Sequence, residues 1–188
     1  MKRKTRLAAL LLCLPLLFCG CGEKAPETEE EVKQEAAEIA SRDFVSGASI
    51  EYGGLSLRAQ IAKDAQGETT VSLESPETLK GLTLTSKDGE VALHYKGLST
   101  SIDPDSFVGK TLVQAAIKAL NQAGNPQGIS VTRTDGGVQL ISSTEGMEFT
   151  LALDQETGHF LELSVPDEKL NIKFENFQFA DPKEEAQE

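Results

Sequence analysis

Few side chains in this 188-residue chain are of kinds that do chemistry, and their spacing limits what chemistry is open to them. There are two histidines. His94 takes the polar parity of a strand whose apolar residues are Val91, Leu93 and Tyr95, so it is expected to face solvent. His159 follows the Thr157-Gly158 turn, two residues before Leu161, and is placed to cap a core edge. On separate strands the two make neither a tight zinc cluster nor a nucleophile–base pair. The 30 acids are more numerous than informative. Glu74, Glu148 and Asp154 follow polar parity and read as solvated faces, and no glycosidase-like carboxylate pair stands out. Asp103-Pro104-Asp105 lacks the further oxygen ligands and the glycine of a calcium loop, and reads better as a helix start. Gly53-Gly54 and Gly136-Gly137 have hairpin spacing, without the helix and lysine of a phosphate loop. Arg133 is the exception. It shares parity with Ile129 and Val131, so it points to the inner side, either to meet a ligand carboxylate or phosphate or to snorkel at a strand end.

The elements that must position these residues follow from two periods. Thr28-Glu29-Glu30-Glu31 reads as a capping box, and Val32, Ala36, Ile39 and Ala40 recur at helical spacing to about Arg42. From about Ala48 the period becomes two: Ala48, Ile50 and Tyr52, then Leu55, Leu57, Ala59 and Ile61, then Val71 and Leu73, Leu82 and Leu84, Val91, Leu93 and Tyr95, and Leu98 with Ile102. One helix interrupts, opening at Asp103-Pro104 and carrying Val108, Leu112, Ala116 and Leu120 on one face until Gly124 and Asn125-Pro126 end it. That face is either fixed core or a lid over a ligand groove. Strands resume with Ile129 and Val131, then Val138 and Leu140, then Met147, Phe149, Leu151 and Leu153, then Leu161, Leu163 and Val165. In the last run, Leu170, Ile172 and Phe174 give way to Phe177 and Phe179, a change of parity that calls for a β-bulge near Glu175-Asn176.

These elements define a mainly β, α+β fold of about eleven antiparallel strands with two helices. Laid flat, such a sheet would be about 50 Å wide at roughly 4.8 Å per strand, and two helices would cover under half of it. The uncovered apolar face favours a sheet curled around the central helix as an incomplete barrel, though a two-layer sandwich also satisfies the widths. Candidate lining for a cavity in such a sheet comprises Tyr52, Leu57, Leu73, Leu84, Leu93, Leu112 and Leu151, with Arg133 as its polar group.

Composition sets the compartment and the excluded partners. A net charge of -12 leaves no footprint for nucleic acid. Met1 to Arg6 carries four cations, and Leu7 to Phe18 is a nearly continuous apolar run too short for a comfortable membrane span. The run ends in Phe18-Cys19-Gly20-Cys21, which resembles a bacterial lipoprotein signal, in which a small residue precedes the cysteine that becomes the acylated N-terminus. Gly20-Cys21 matches that pattern. The resemblance implies a signal over residues 1–20, a lipid anchor on Cys21 carrying fatty acyl chains such as palmitate, and a polar tether over 21–27. A single domain over 28–180 and an acidic tail expected to be disordered over 181–188 complete the chain. Losing Lys2, Arg3, Lys4 and Arg6 would take the charge from -12 to -16. Cys13 and Cys19 would leave with the signal, and the domain would hold no thiol for disulfide, nucleophile or metal.

The order of helix, antiparallel strands, central helix and more strands resembles the LolA-like lipoprotein-carrier fold and related small Gram-positive lipoproteins. Residues Ser75-Pro76-Glu77-Thr78-Leu79-Lys80-Gly81-Leu82, Asp88-Gly89 and Val91-Ala92-Leu93-His94-Tyr95 look especially like the latter, and the likeness extends from about Val32 to Phe179. It implies a half-barrel whose concave apolar face receives acyl chains. The expected function is therefore a non-catalytic, membrane-tethered extracytoplasmic lipoprotein binding a lipid or other hydrophobic ligand, without a cofactor or metal. The alternative is a structural or partner-binding envelope lipoprotein without a cavity. With Gly22 after the lipid cysteine, a Gram-negative host implies the outer membrane; the family likeness favours a Gram-positive cell membrane.

Overall fold

A computed structural model describes residues 28–180 apart from 65, 88–89, 103–109 and 143–147, and omits the side chains of 102 and 110–113. The expected signal, Cys21, the tether, the Asp88-Gly89 turn, the Asp103-Pro104 helix start, Met147 and the acidic tail lie outside the described residues.

The first helix, α1 (Glu29–Ser41), starts where the capping box places it. Glu31 N donates to Thr28 Oγ1 at 3.3 Å, and Thr28 N donates to Glu31 Oε2 at 2.8 Å. Its buried stripe is small (Val32, Ala36, Ala37 and Ala40), so the helix lies close to what it covers. Strands β1 (Phe44–Tyr52), β2 (Leu55–Lys63), β3 (Thr69–Ser75), β4 (Thr83–Lys87), β5 (Glu90–Tyr95) and β6 (Leu98–Ile102) follow. After α2 (Lys110–Ala123) come β7 (Ile129–Thr134), β8 (Gly137–Ser142), β9 (Phe149–Asp154), β10 (Phe160–Val165), a 3₁₀ turn at Pro166–Glu168, and β11 (Leu170–Phe179).

All eleven strands form one antiparallel sheet in the order β6-β5-β4-β3-β2-β1-β11-β10-β9-β8-β7. First and last strands meet at its middle, and the two strands flanking α2 are its edges. The sheet is curled and unclosed, as the width argument requires. Alternate side chains from β1–β5 and β7–β11 enter one apolar cluster, including Ile50, Ile61, Val71, Leu140, Leu151, Leu163 and Ile172. Both helices pack chiefly on one half: α1 on β7 and β8, α2 on β8, β9 and β10, and each on the other. At their junction a Cβ on Gly124 would lie 3.3 Å from the Ser41 Cβ, so glycine lets the two helix ends approach.

The bulge lies where the parity change calls for it. Glu175 pairs with Gly47 and Gln178 with Val45, leaving two residues of β11 opposite Ser46 alone. Asn176 takes the left-handed conformation there (φ 52°) and returns Phe177 to the inner side, buried. A second bulge departs from the simple pattern. Phe160 pairs with Leu153 and Glu162 with Ala152, so Leu161 is an extra residue and is 42% exposed, while Phe160 takes the inner place.

Candidate ligand-binding face

The inner sides of β1 to β6 can be read as rows across the sheet, because directly paired residues share a face. One row runs Ile61, Val71, Leu84, Leu93 and Thr100. Its exposure rises from 0% at Ile61 through 2% at Val71 and 6% at Leu84 to half-buried Leu93 and exposed Thr100. The next row runs from buried Ala59 and Leu73 towards half-buried Tyr95 and then Leu98, 75% exposed. Half-buried Leu82 borders it: Leu73 N donates to the Leu82 carbonyl at 2.8 Å. The concave apolar face is therefore sealed at β1–β3 and opens by degrees towards β6, on the half of the sheet away from the main helical cover.

The sequence-derived lining residues divide between the two halves. Leu57, Leu73 and Leu84 are buried on this face, and Tyr52 and Leu93 pack half-buried against the same core. Leu151 is wholly buried on β9, a strand packed by α2. Leu112 lies on α2, its side chain outside the described residues. Arg133 is at the far end of the sheet, exposed, lining a cleft of about 220 Å³ between α1 and β7–β9 with Glu35, Ile39, Val138 and Leu153. The structure thus brings Tyr52, Leu57, Leu73, Leu84 and Leu93 together and sets Arg133 apart from them.

Sequence reasoning passed over a polar row on the same concave face. Lys63 pairs with Thr69, and Thr69 with Ser86. All three are buried, at 8%, 0% and 6% exposure. The signal was available, since each shares parity with the apolar residues of its own strand. Lys63 Nζ donates to the Ala40 carbonyl at the end of α1, at 3.3 Å. Burial holds the Lys63 ammonium below the usual lysine range, against the opposing charge of Asp43. Thr69 Oγ1 is enclosed and has no hydrogen-bond partner.

The convex side carries a different cleft, of about 420 Å³, over the β11 bulge and lined by Gly47, Arg58, Gln60, Glu74, Glu175 and Gln178 among others. Glu175 accepts from Ser49 Oγ at 2.6 Å and from Arg58 Nη2 at 3.1 Å, and these bonds hold its carboxyl below the usual range. Such mutual pairing reads as surface stitching between β1, β2 and β11. Among the described residues, no group of three or more His, Cys, Asp and Glu could hold a metal ion. His94 is exposed on β5, with Nε2 3.4 Å from Thr85 Oγ1. His159 does cap the core edge, its ring 5.1 Å from Phe177 and 5.6 Å from Phe179.

No family model matches the sequence, and no curated protein matches it significantly. Solved structures similar to it include an uncharacterized conserved protein from Thermus thermophilus (13% identity, TM-score 0.49, covering 84% of this chain and 91% of that one). A LolA superfamily protein from Nitrosomonas europaea is similar at 10% identity and TM-score 0.46, over 83% of this chain and 95% of that one. A chain of the complex between the CwlD amidase from Clostridioides difficile and the GerS lipoprotein is similar at 15% identity and TM-score 0.46, over 84% and 99% respectively.

Proposed function

We propose that this chain is a membrane-tethered, extracytoplasmic lipoprotein that binds an apolar ligand, without catalysis, along the concave face of its open sheet. The observation that carries this reading is the gradient of exposure from Ile61 at 0% to Leu98 at 75%, across adjacent strands that present apolar side chains to one side. A folded core has no use for a partly open apolar row, because each half-buried leucine forgoes burial worth about 1 kcal/mol or more. An alkyl chain laid across β4–β6 would recover it. The tether rests on the sequence alone: the basic and apolar leader and Gly20-Cys21. Lipid attachment places the acidic body at a membrane surface without inserting it.

Native mass spectrometry of the full chain after exposure to phospholipid and fatty-acid mixtures tests the reading. A retained lipid is expected in the unaltered chain, and Leu93→Glu should weaken retention at least tenfold while leaving the fold intact, since Leu93 is half-buried. An unaltered chain that emerges lipid-free would overturn the proposal.

A second reading is favoured by one observation. Edge strand β6 (Leu98–Ile102) contains neither charge nor proline, and Leu98 to Ser101 are exposed on both faces. Such an edge suits addition of a strand from an envelope protein. Capture of a partner that is lost on Ser99→Pro, with lipid retention unchanged, would favour it.

A further inference from the structure

Three polar side chains occupy inner positions where the neighbouring rows are apolar. Lys63 continues Leu57, Ala59 and Ile61 on β2; Thr69 precedes Val71 and Leu73 on β3; Ser86 follows Leu84 on β4. Directly paired residues on antiparallel strands have Cβ atoms about 5 Å apart, so the three make a continuous polar line roughly 10 Å long. It is also dry. No residue of the line exceeds 8% exposure, and the Thr69 hydroxyl is enclosed without a partner.

Capping α1 accounts for only part of this. The Ala40 carbonyl uses one of the three N–H donors of Lys63, at 3.3 Å, and a cation at that helix end is favourable. A methionine would fill the same space without desolvating an ammonium, and a valine would replace Thr69 without an orphaned hydroxyl. Buried polar groups ordinarily have partners, and here donors are aligned along one end of an apolar face with none of the described side chains answering Thr69.

We propose that Lys63, Thr69 and Ser86 form a head site for the carboxylate of a single-chain amphiphile, whose alkyl tail lies across Val71, Leu84 and Leu93 towards the opening at β6. This rests on the apolar-ligand reading above and names the ligand's chemical class. Charge selects the head: the ammonium pairs with an anion, and the hydroxyls donate to its oxygens. Length selects the tail. From β3 to β6 the sheet spans about 14 Å, which suits one medium alkyl chain lying across the strands.

Calorimetric titration of the full chain with dodecanoate, dodecanol and acetate tests the proposal. The unaltered chain is expected to bind dodecanoate at least about tenfold more tightly than dodecanol, the strength of a hydrogen-bonded charge, and to bind acetate weakly. Lys63→Met should abolish that preference while leaving dodecanol affinity within about twofold, a change that mere capping of α1 would not produce. Thr69→Val keeps the charge and the shape, and should reduce the preference several-fold even where Lys63→Met fails to fold. Equal affinities for dodecanoate and dodecanol in the unaltered chain, or a preference untouched by Thr69→Val and Lys63→Met, would overturn the head site and leave the apolar reading standing. Binding of neither would overturn both.

Discussion

At the residue scale, the two glycines of the β7–β8 turn look alike in sequence but do different work. A Cβ on Gly137 would stand 1.9 Å from the Leu153 carbonyl oxygen, whereas one on Gly136 would meet nothing within 4 Å. Gly137→Ala must therefore push β8 off β9 and is expected to cost about 3 kcal/mol, with Gly136→Ala within about 0.5 kcal/mol of neutral; urea denaturation of both variants checks this. Glu175 gives a pH-dependent case. Its carboxylate is favoured by the Ser49 hydroxyl and by Arg58, which lower its folded pKa. The stabilisation is then fully present above the ordinary glutamate value of about 4.3 and is lost as pH falls through the lower folded value. Glu175→Gln should accordingly lower the urea midpoint slightly near neutrality, with the difference vanishing in acid. The pair is exposed, so the effect is small. The polar row was readable at this scale, because Lys63, Thr69 and Ser86 occupy apolar parity. Which of Gly136 and Gly137 is indispensable was not, since that depends on a contact with β9.

At the element scale, parity carried most of the reading. It located the eleven strands and the β11 bulge, as the Thr28–Glu31 motif located the start of α1, because each leaves a mark within a few consecutive residues. Phe177 regains the inner side only through the extra residue, and there it stacks 5.0 Å from Phe44 and 4.9 Å from Phe160. Without the bulge, Asn176 would take the inner place, Phe177 would face outward and Gln178 would enter this cluster. Phe177→Ala, which empties that place in the cluster, is expected to cost at least about 3 kcal/mol. Asn176→Gly should be tolerated, since glycine accepts a φ of 52°. Thermal unfolding of both proteins checks the pair. The β10 bulge escaped the sequence because Leu161, Leu163 and Val165 alternate perfectly. Phe160 outcompetes Leu161 for the inner place through ring contacts with Phe44 and Phe174, on other strands.

At the scale of the whole molecule, eleven strands and two helices cannot all be covered, and the structure places the deficit at β4–β6. The sequence implied that imbalance through widths alone. It did not reveal where the helices would settle, because α1 and α2 choose β7–β10, and each other, through tertiary contacts, with Gly124 against Ser41 at the helix junction. Hence Leu93 and Leu151, equivalent in sequence, differ in the structure: one is half-buried near an opening and the other sealed. The proposed function requires an alkyl chain to lie in this opening. The most direct measurement is a methyl-resolved NMR titration of the full chain with dodecanoate. Saturable shifts are expected at the methyls of Val71, Leu84, Leu93 and Leu98, with none at the outward-facing Leu161. Shifts that spare the concave leucines, or that fall equally on Leu161, would contradict it.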